Sequence, residues 1–233
     1  MLEAVLFDMD GLMFDTERLC IRAWDYAGEK MGLGKAGYMV MKTLGVNQAA
    51  ADRIWREEFG PRYDGEKLRA YAGEFRARYF AEHPVPVKPG LAELLPFLQG
   101  EGIRMAVVSS APERQVRFLL EKAGVAAYYE AAVCGDMVSR SKPDPEIYRT
   151  ACARLGVPPD ACVALEDSRN GLLAACRAGC RPVMVPDLWQ PDGEIQALLF
   201  GKLDSLGQLP RFLQEKGLLR SPGESRPEGK AGE

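Results

Sequence analysis

The sequence predicts an α/β fold: a doubly wound parallel sheet (Rossmann-like) core with an inserted all-helical cap domain. Three observations carry that expectation. Short, continuously apolar runs recur along the chain, each separated from the next by a stretch of helical periodicity. Their hydrophobicity is continuous rather than alternating, as in parallel strands covered on both faces. The rhythm then breaks once, between residues 15 and 84, where helical patterns follow one another with no strand-like run between them.

In chain order, Ala4–Phe7 reads as the first strand. Thr16–Met31, Gln48–Phe59 and Glu66–Glu82 read as the helices of the insert, and the proline-rich segment His83–Gly90 as a stiff return linker. Leu91–Gln99 is the next helix, which Pro96 should kink. Strands follow at Met105–Val108, Ala131–Cys134, Cys162–Leu165 and Pro182–Val185, with helices between them at Glu113–Ala123, Pro145–Leu155 and Asn170–Ala178. Gly124, Gly156 and Gly179 stand just past three of these helices, the usual C-terminal stop. The expected organisation is a core of residues 1–14 and 85–219 and a cap of residues 15–84. The polar stretch 220–233 should be a disordered tail.

Composition excludes several classes of chemistry. Of 233 residues, 47% are apolar, and 30 basic side chains stand against 33 acidic ones, a formal net charge of −3. That balance argues against a nucleic-acid surface. No run approaches the ~18 consecutive apolar residues of a membrane span, and the start of the chain lacks the marks of a secretory signal. A cytoplasmic monomer is the expectation. The single histidine, His83, makes serine–histidine triads and multi-histidine metal sites poor readings. His83 itself falls in the return linker, as hinge or surface. The six cysteines show no CxxC pair and read as structural thiols. Acid–base chemistry would then rest on carboxylates.

In open α/β sheets, ligands bind beyond the carboxyl ends of the strands. Past the first strand stand Asp8, Asp10 and Gly11. Past the second stand Ser109 and Ser110. A loop after the third carries Lys142, and past the fourth come Glu166, Asp167 and Ser168. Clustered carboxylates resist ionising unless a cation neutralises them. Asp8, Glu166 and Asp167 with a backbone carbonyl are oxygen ligands of the kind that suit Mg²⁺, which keeps waters and often shares a substrate phosphate. With Mg²⁺ and Lys142 present, Asp8 can stay anionic and attack a phosphate. Ser109 can donate to a phosphoryl oxygen, and Asp10 can protonate the leaving oxygen and later activate water.

Each residue also has a plainer role open to it. A DxD after a buried strand is often a turn. Ser109 or Ser110 could cap the following helix, Asp167 or Ser168 the Asn170 helix, and Lys142 could be a solvated surface charge. What those roles leave unexplained is their convergence, in order, on one edge of the sheet.

The segments LFDMDGLMFDTE, VVSSAPE, SKPDPEIY and LEDSRNG resemble the four motifs of the haloacid dehalogenase-like phosphatase superfamily, within it the helical-cap subgroup that includes beta-phosphoglucomutase. The resemblance covers almost all of the chain except the tail. It implies that Asp8 is the nucleophile of an aspartyl-phosphate and Asp10 the general acid/base. It also implies that Ser109 and Lys142 bind the phosphoryl group. Asp8, the Asp10 carbonyl and Asp167 would hold Mg²⁺, with Glu166 at or beside the metal, and the insert would close over the substrate. Asp10 separates the chain from true dehalogenases, which lack that second aspartate. Relative to beta-phosphoglucomutases, the position of a cap histidine matches Cys20 here, and the place of a cap arginine reads Val46-Asn47-Gln48.

The expected activity is therefore Mg²⁺-dependent hydrolysis of the phosphate monoester of a small metabolite: a sugar, polyol or nucleoside phosphate. A sugar-phosphate mutase is the alternative, and a phospho-accepting receiver module, in which Asp10 has no role, is a remote one. Lys42, Asn47, Gln48, Arg53 and Tyr79 are the polar cap candidates for setting specificity, each with solvated helix surface as its plainer role.

Overall fold

A computed structural model describes residues 1–43 and 48–219. The expected tail and the positions Gly45, Val46 and Asn47 lie outside the described residues. Six parallel strands form one sheet in the order β3-β2-β1-β4-β5-β6. They are β1 (Ala4–Phe7), β2 (Arg104–Ser109), β3 (Ala131–Cys134), β4 (Cys162–Glu166), β5 (Arg181–Met184) and β6 (Gly201–Lys202). The five predicted runs fall within a residue or two of β1 to β5. β6 has no apolar run to announce it: two residues at the sheet edge pair with Val183 and Met184.

β1 lies in the middle, with Phe7 opposite Val107 of β2 and Leu165 of β4. Its residues are completely buried because the two faces of the pleat enter two different cores. Val5, Phe7, Val107 and Leu165 pack against α5 (Leu91–Gly100), α6 (Glu113–Lys122) and α10 (Leu209–Glu215). Leu6, Val108 and a set of alanines (Ala4, Ala106, Ala164) face α7 (Glu146–Leu155) and α8 (Arg169–Ala178). Alanines Ala174 and Ala175 of α8 meet those strand alanines, so helix and sheet approach closely. α9 (Gly193–Gln196) covers Met184 through Ile195.

The helix ends follow the glycine signals. α7 stops at Gly156 and α8 at Gly179, both left-handed, and Gly124 with φ 70° follows α6. α5 runs unbroken from Leu91 to Gly100 with Pro96 inside it. Ser168, rather than Asp167, caps α8 by accepting from the Gly171 N–H at 3.1 Å.

Between β1 and α5 the chain forms α1 (Thr16–Lys30), α2 (Met39–Thr43), α3 (Gln48–Phe59) and α4 (Gly65–Glu82). α2 is a single short turn of helix that periodicity did not reveal. These helices share a core of their own, in which Trp55 meets Trp24, Phe59 and Tyr63 at ring distances of 5.4, 5.5 and 6.0 Å. The two crossings between insert and sheet run side by side. Phe14 bridges to Val87, the Asp15 N–H donates to Pro86 at 2.8 Å and the Lys88 N–H to Met13 at 2.9 Å. His83 sits exposed at the end of α4, stacked on Tyr79 at 4.5 Å. Among the described residues no helix is long and apolar enough to cross a membrane.

Candidate active site

Strand register delivers the acidic edge. Asp8 is the first residue past β1, and its N–H still donates to Leu165 at 3.0 Å, so its side chain leaves the sheet at a fixed point between β2 and β4. Lys142 arrives there from the loop after β3. It is no surface lysine: its side chain is 3% exposed, and Nζ donates to Asp8 Oδ1 at 2.6 Å, Glu166 Oε1 at 2.7 Å and the Val108 carbonyl at 2.9 Å. All three ammonium protons are thereby used. Burial disfavours the charged ammonium, but Asp8 and Glu166 outweigh it and push the Lys142 pKa up.

Glu166 is fully buried, and both of its oxygens are occupied. Oε1 also accepts from the Tyr148 hydroxyl at 2.6 Å, while Oε2 accepts from Ser168 Oγ at 3.1 Å. Gly171 makes room for it, since a Cβ there would lie 1.9 Å from the carboxyl group. Asp167 is cradled in the same way. Gly11 has φ +80°, and a Cβ on it would meet Asp167 Oδ2 at 2.2 Å.

Asp8, Glu166 and Asp167 each place an oxygen within 4.8 Å of the others. All three are buried, and among the described residues Lys142 is the one buried cation set against them. Burial first, then the neighbouring carboxylates, raise the pKa values of Asp8 and Asp167 well above the usual range. A buried excess of negative charge built from hard oxygen atoms fits a divalent ion such as Mg²⁺. Because Glu166 already has donors on both oxygens, Asp8 and Asp167 are the better placed ligands, and Glu166 stands beside them as the residue that orients Lys142.

Asp10 faces the other way, into a chamber of about 190 Å³ between sheet and insert. Its Oδ1 accepts from Thr16 Oγ1 at 2.6 Å. Burial raises its pKa, and the Thr16 hydrogen bond opposes the rise. Ser109 ends β2, 1% exposed, one residue past the carbonyl that Lys142 holds. Its Oγ accepts from the Ala111 N–H at 3.1 Å, which leaves the hydroxyl proton for another acceptor. Neither Ser109 nor Ser110 caps α6, whose N-cap is Pro112.

The edge therefore brings Asp8, Lys142 and Glu166 into direct contact, places Asp167 within 4.8 Å of the two carboxylates, and sets Asp10 and Ser109 beside them. Sequence reasoning missed Thr16, Tyr148 and Gly171, which hold or accommodate that set. It also missed most of the residues that wall the chamber, Glu17, Trp24, Val40, Thr43 and Gln115, while Cys20 stands out in the sequence only as the match to a cap histidine. Cys20 lines this chamber instead of packing in a core, and burial pushes its thiol pKa up to about 11. Of the polar cap positions singled out from sequence, Asn47 lies outside the described residues and the other four do not line the chamber. Lys42 pairs with Glu58 at 2.5 Å, Gln48 and Arg53 are exposed, and Tyr79 stacks on His83. Outside the chamber a cleft of about 500 Å³ continues between α4 and α6, with Arg76, Arg114 and Phe118 on its walls.

A doubly wound sheet with a helical insert after its first strand, and paired aspartates, a buried lysine and a further acidic pair at its carboxyl edge, defines a class of hydrolase. The family model for haloacid dehalogenase-like hydrolases matches residues 2–179, and the chain belongs to that family. It is 34% identical over 178 residues to the phosphorylated carbohydrates phosphatase of Thermotoga maritima, covering 76% of this chain and 82% of that protein. It is 31% identical over 215 residues to hexitol phosphatase B of Escherichia coli, covering 88% and 93%. Among solved structures it resembles CbbY from Rhodobacter sphaeroides in complex with phosphate. That match has a TM-score of 0.75 and 32% identity over 90% of this chain and 96% of the other.

Proposed function

We propose that the chain is an Mg²⁺-dependent phosphate monoester hydrolase that acts on a small phosphorylated metabolite through an aspartyl-phosphate. The observation that carries the reading is the division of labour between two aspartates two residues apart. Asp8 is ion-paired to a buried lysine at 2.6 Å, while Asp10 is hydrogen-bonded to Thr16 on the chamber side. The first is arranged to be an anion beside a phosphate, the second to exchange a proton with whatever occupies the chamber.

Asp8 and Asp167, with the Asp10 carbonyl, would hold Mg²⁺, which neutralises charge on the phosphoryl oxygens and on the carboxylates around them. Lys142 adds a fixed positive charge and Ser109 a hydroxyl donor. An Asp8 oxygen attacks phosphorus, forming the acyl phosphate as the bond to the leaving oxygen breaks. Asp10, whose pKa burial raises, gives a proton to that oxygen and the alcohol departs. The now anionic Asp10 takes a proton from water as the water attacks phosphorus, and inorganic phosphate leaves with Asp8 restored.

Two relatives support a phosphorylated sugar or polyol as the substrate class, since their names state phosphorylated carbohydrates and hexitols. The test is phosphate release from p-nitrophenyl phosphate and from a panel of sugar, polyol and nucleoside phosphates, with and without Mg²⁺. Turnover should require Mg²⁺ and vanish in Asp8→Asn. A wild type no faster than Asp8→Asn on every compound would overturn the reading. Appearance of glucose 6-phosphate instead of free phosphate from beta-glucose 1-phosphate and a trace bisphosphate would favour the mutase.

A further inference from the structure

Asp187 stands three residues past β5, at the same edge of the sheet as Asp8 and Asp167. Its side chain is 2% exposed and is tied to the return crossing and to α1. Lys88 of the crossing pairs with Oδ1 at 2.9 Å, and Arg18 of α1 pairs with the same oxygen at 3.0 Å. The other oxygen, Oδ2, is buried without a hydrogen-bond partner. An aspartate that served only to clasp two cations could offer one oxygen to each. Here both take Oδ1, and the buried acceptor left open is unfavourable until a ligand brings a donor to it.

The surroundings indicate which donor. Oxygens of Asp187, Asp167 and Glu17 lie within 4.8 Å of one another, and Asp167 is the member shared with the group of Asp8 and Glu166. Asp187 is absent from that first group, so it stands outside the residues best placed as ligands rather than among them. Nor does it line the chamber that would receive the leaving group. A hydrated divalent ion supplies donors of the right kind, because Mg²⁺ keeps several of its waters and groups just outside the ligands hydrogen-bond to its shell.

We propose that Asp187 is a positioning residue for the divalent ion, its Oδ2 accepting a hydrogen bond from a water in the shell of an ion held by Asp167. The inference rests on the metal-dependent part of the phosphatase reading and adds to it a residue outside the four sequence motifs. Lys88 and Arg18 fix the orientation of the carboxylate through Oδ1, so Oδ2 is held in place before the ion arrives.

Mn²⁺ is the probe, its affinity followed by electron paramagnetic resonance. In Asp187→Asn the amide oxygen can still accept from Lys88 and Arg18, which turns the NH₂ group to the place of Oδ2 and puts a donor where an acceptor stood. Mn²⁺ affinity should fall about 10- to 100-fold, the usual effect of losing a partner just outside the ligands. The number of waters on bound Mn²⁺, counted from line broadening in ¹⁷O-water, should not change. Arg18→Gln breaks one arm of the clasp, a half-exposed one, and should leave the affinity within about threefold of wild type. Asp187→Asn combined with Arg18→Gln serves if the single variant does not fold, and should lose as much affinity. An Asp187→Asn protein that binds Mn²⁺ as tightly as wild type, or a loss matched by Arg18→Gln alone, overturns the assignment and reduces Asp187 to a clasp. A gain of one water on Mn²⁺ overturns it in favour of a direct ligand. A wild type that binds no Mn²⁺ overturns the metal-dependent reading, and this one with it. A wild type that binds Mn²⁺ but releases no phosphate from any ester overturns the phosphatase reading alone.

Discussion

Replacing Lys142 with methionine tests the electrostatic core of the site without changing its volume much. The ammonium is 3% exposed and holds two carboxylates, one of them 0% exposed, at 2.6 and 2.7 Å. Deleting one partner of a buried ion pair strands the other charge, at a cost of about 3–5 kcal/mol. For a chain of this size each kcal/mol lowers Tm by roughly 2–4 °C, so the metal-free variant should melt about 6–20 °C below wild type at pH 8. The deficit should depend on pH. Asp8 already has a raised pKa, and losing its cation raises it further. A carboxyl whose folded pKa lies above its unfolded value stabilises the fold below the unfolded pKa, and that stability is lost as pH rises through the folded one. The gap from wild type should therefore be widest at pH 8 and narrow towards pH 5. Adding Glu166→Gln should recover about half of the loss, because one stranded charge is gone while the Tyr148 hydroxyl keeps an acceptor. Thermal melts of the two variants and wild type from pH 5 to 8 suffice. A deficit under about 1 kcal/mol, or one independent of pH, would refute the account of the site as a charge-compensated cluster.

Other consequences can be checked alongside. Thr16→Val removes the bond that lowers the Asp10 pKa. Turnover should fall about 10-fold, with the limb of the pH profile governed by Asp10 moved upward; an unmoved profile would remove Thr16 from the proton-transfer apparatus. Asp10→Asn should cost about 10²–10⁴ in kcat while leaving the protein able to form the acyl phosphate from an activated aryl ester. MgCl₂ should raise Tm more at pH 8 than at pH 5, because Asp8 and Asp167 must lose protons to bind it; equal shifts at both values would contradict the raised pKa values. Gly171→Ala drives a methyl group to 1.9 Å from the Glu166 carboxyl, and a loss of about 1–3 kcal/mol with reduced activity should follow.

Much of this was legible in the chain itself, for physical reasons that differ by element. β1 to β5 announce themselves because a strand buried on both faces has no polar position to interrupt its run, as Ala4–Phe7 shows. The acidic edge was legible because strand ends fix where polar and charged residues emerge, so Asp8, Ser109 and Glu166 could be placed by counting. β6 escaped because two residues, Gly201 and Lys202, carry no pattern. The supports of the site escaped for another reason. Tyr148 is an ordinary helix residue until α7 packs under Glu166, and Glu17 looks like a solvated first-turn acid until the insert folds back over the sheet. Such roles are made by packing between distant segments, and no local periodicity encodes them.

The paired crossings at Phe14 and Val87 make the insert more than a lid of convenience. Thr16, which holds the acid Asp10, is also the first residue of α1. The side chain that holds Asp10 therefore belongs to the same short stretch of chain as the paired crossings, so the seam that joins insert to sheet also fixes the orientation of that carboxyl. On the proposed reading, any displacement of α1 would loosen the Thr16 bond, and the acid would be held in place only while the insert stands over the chamber.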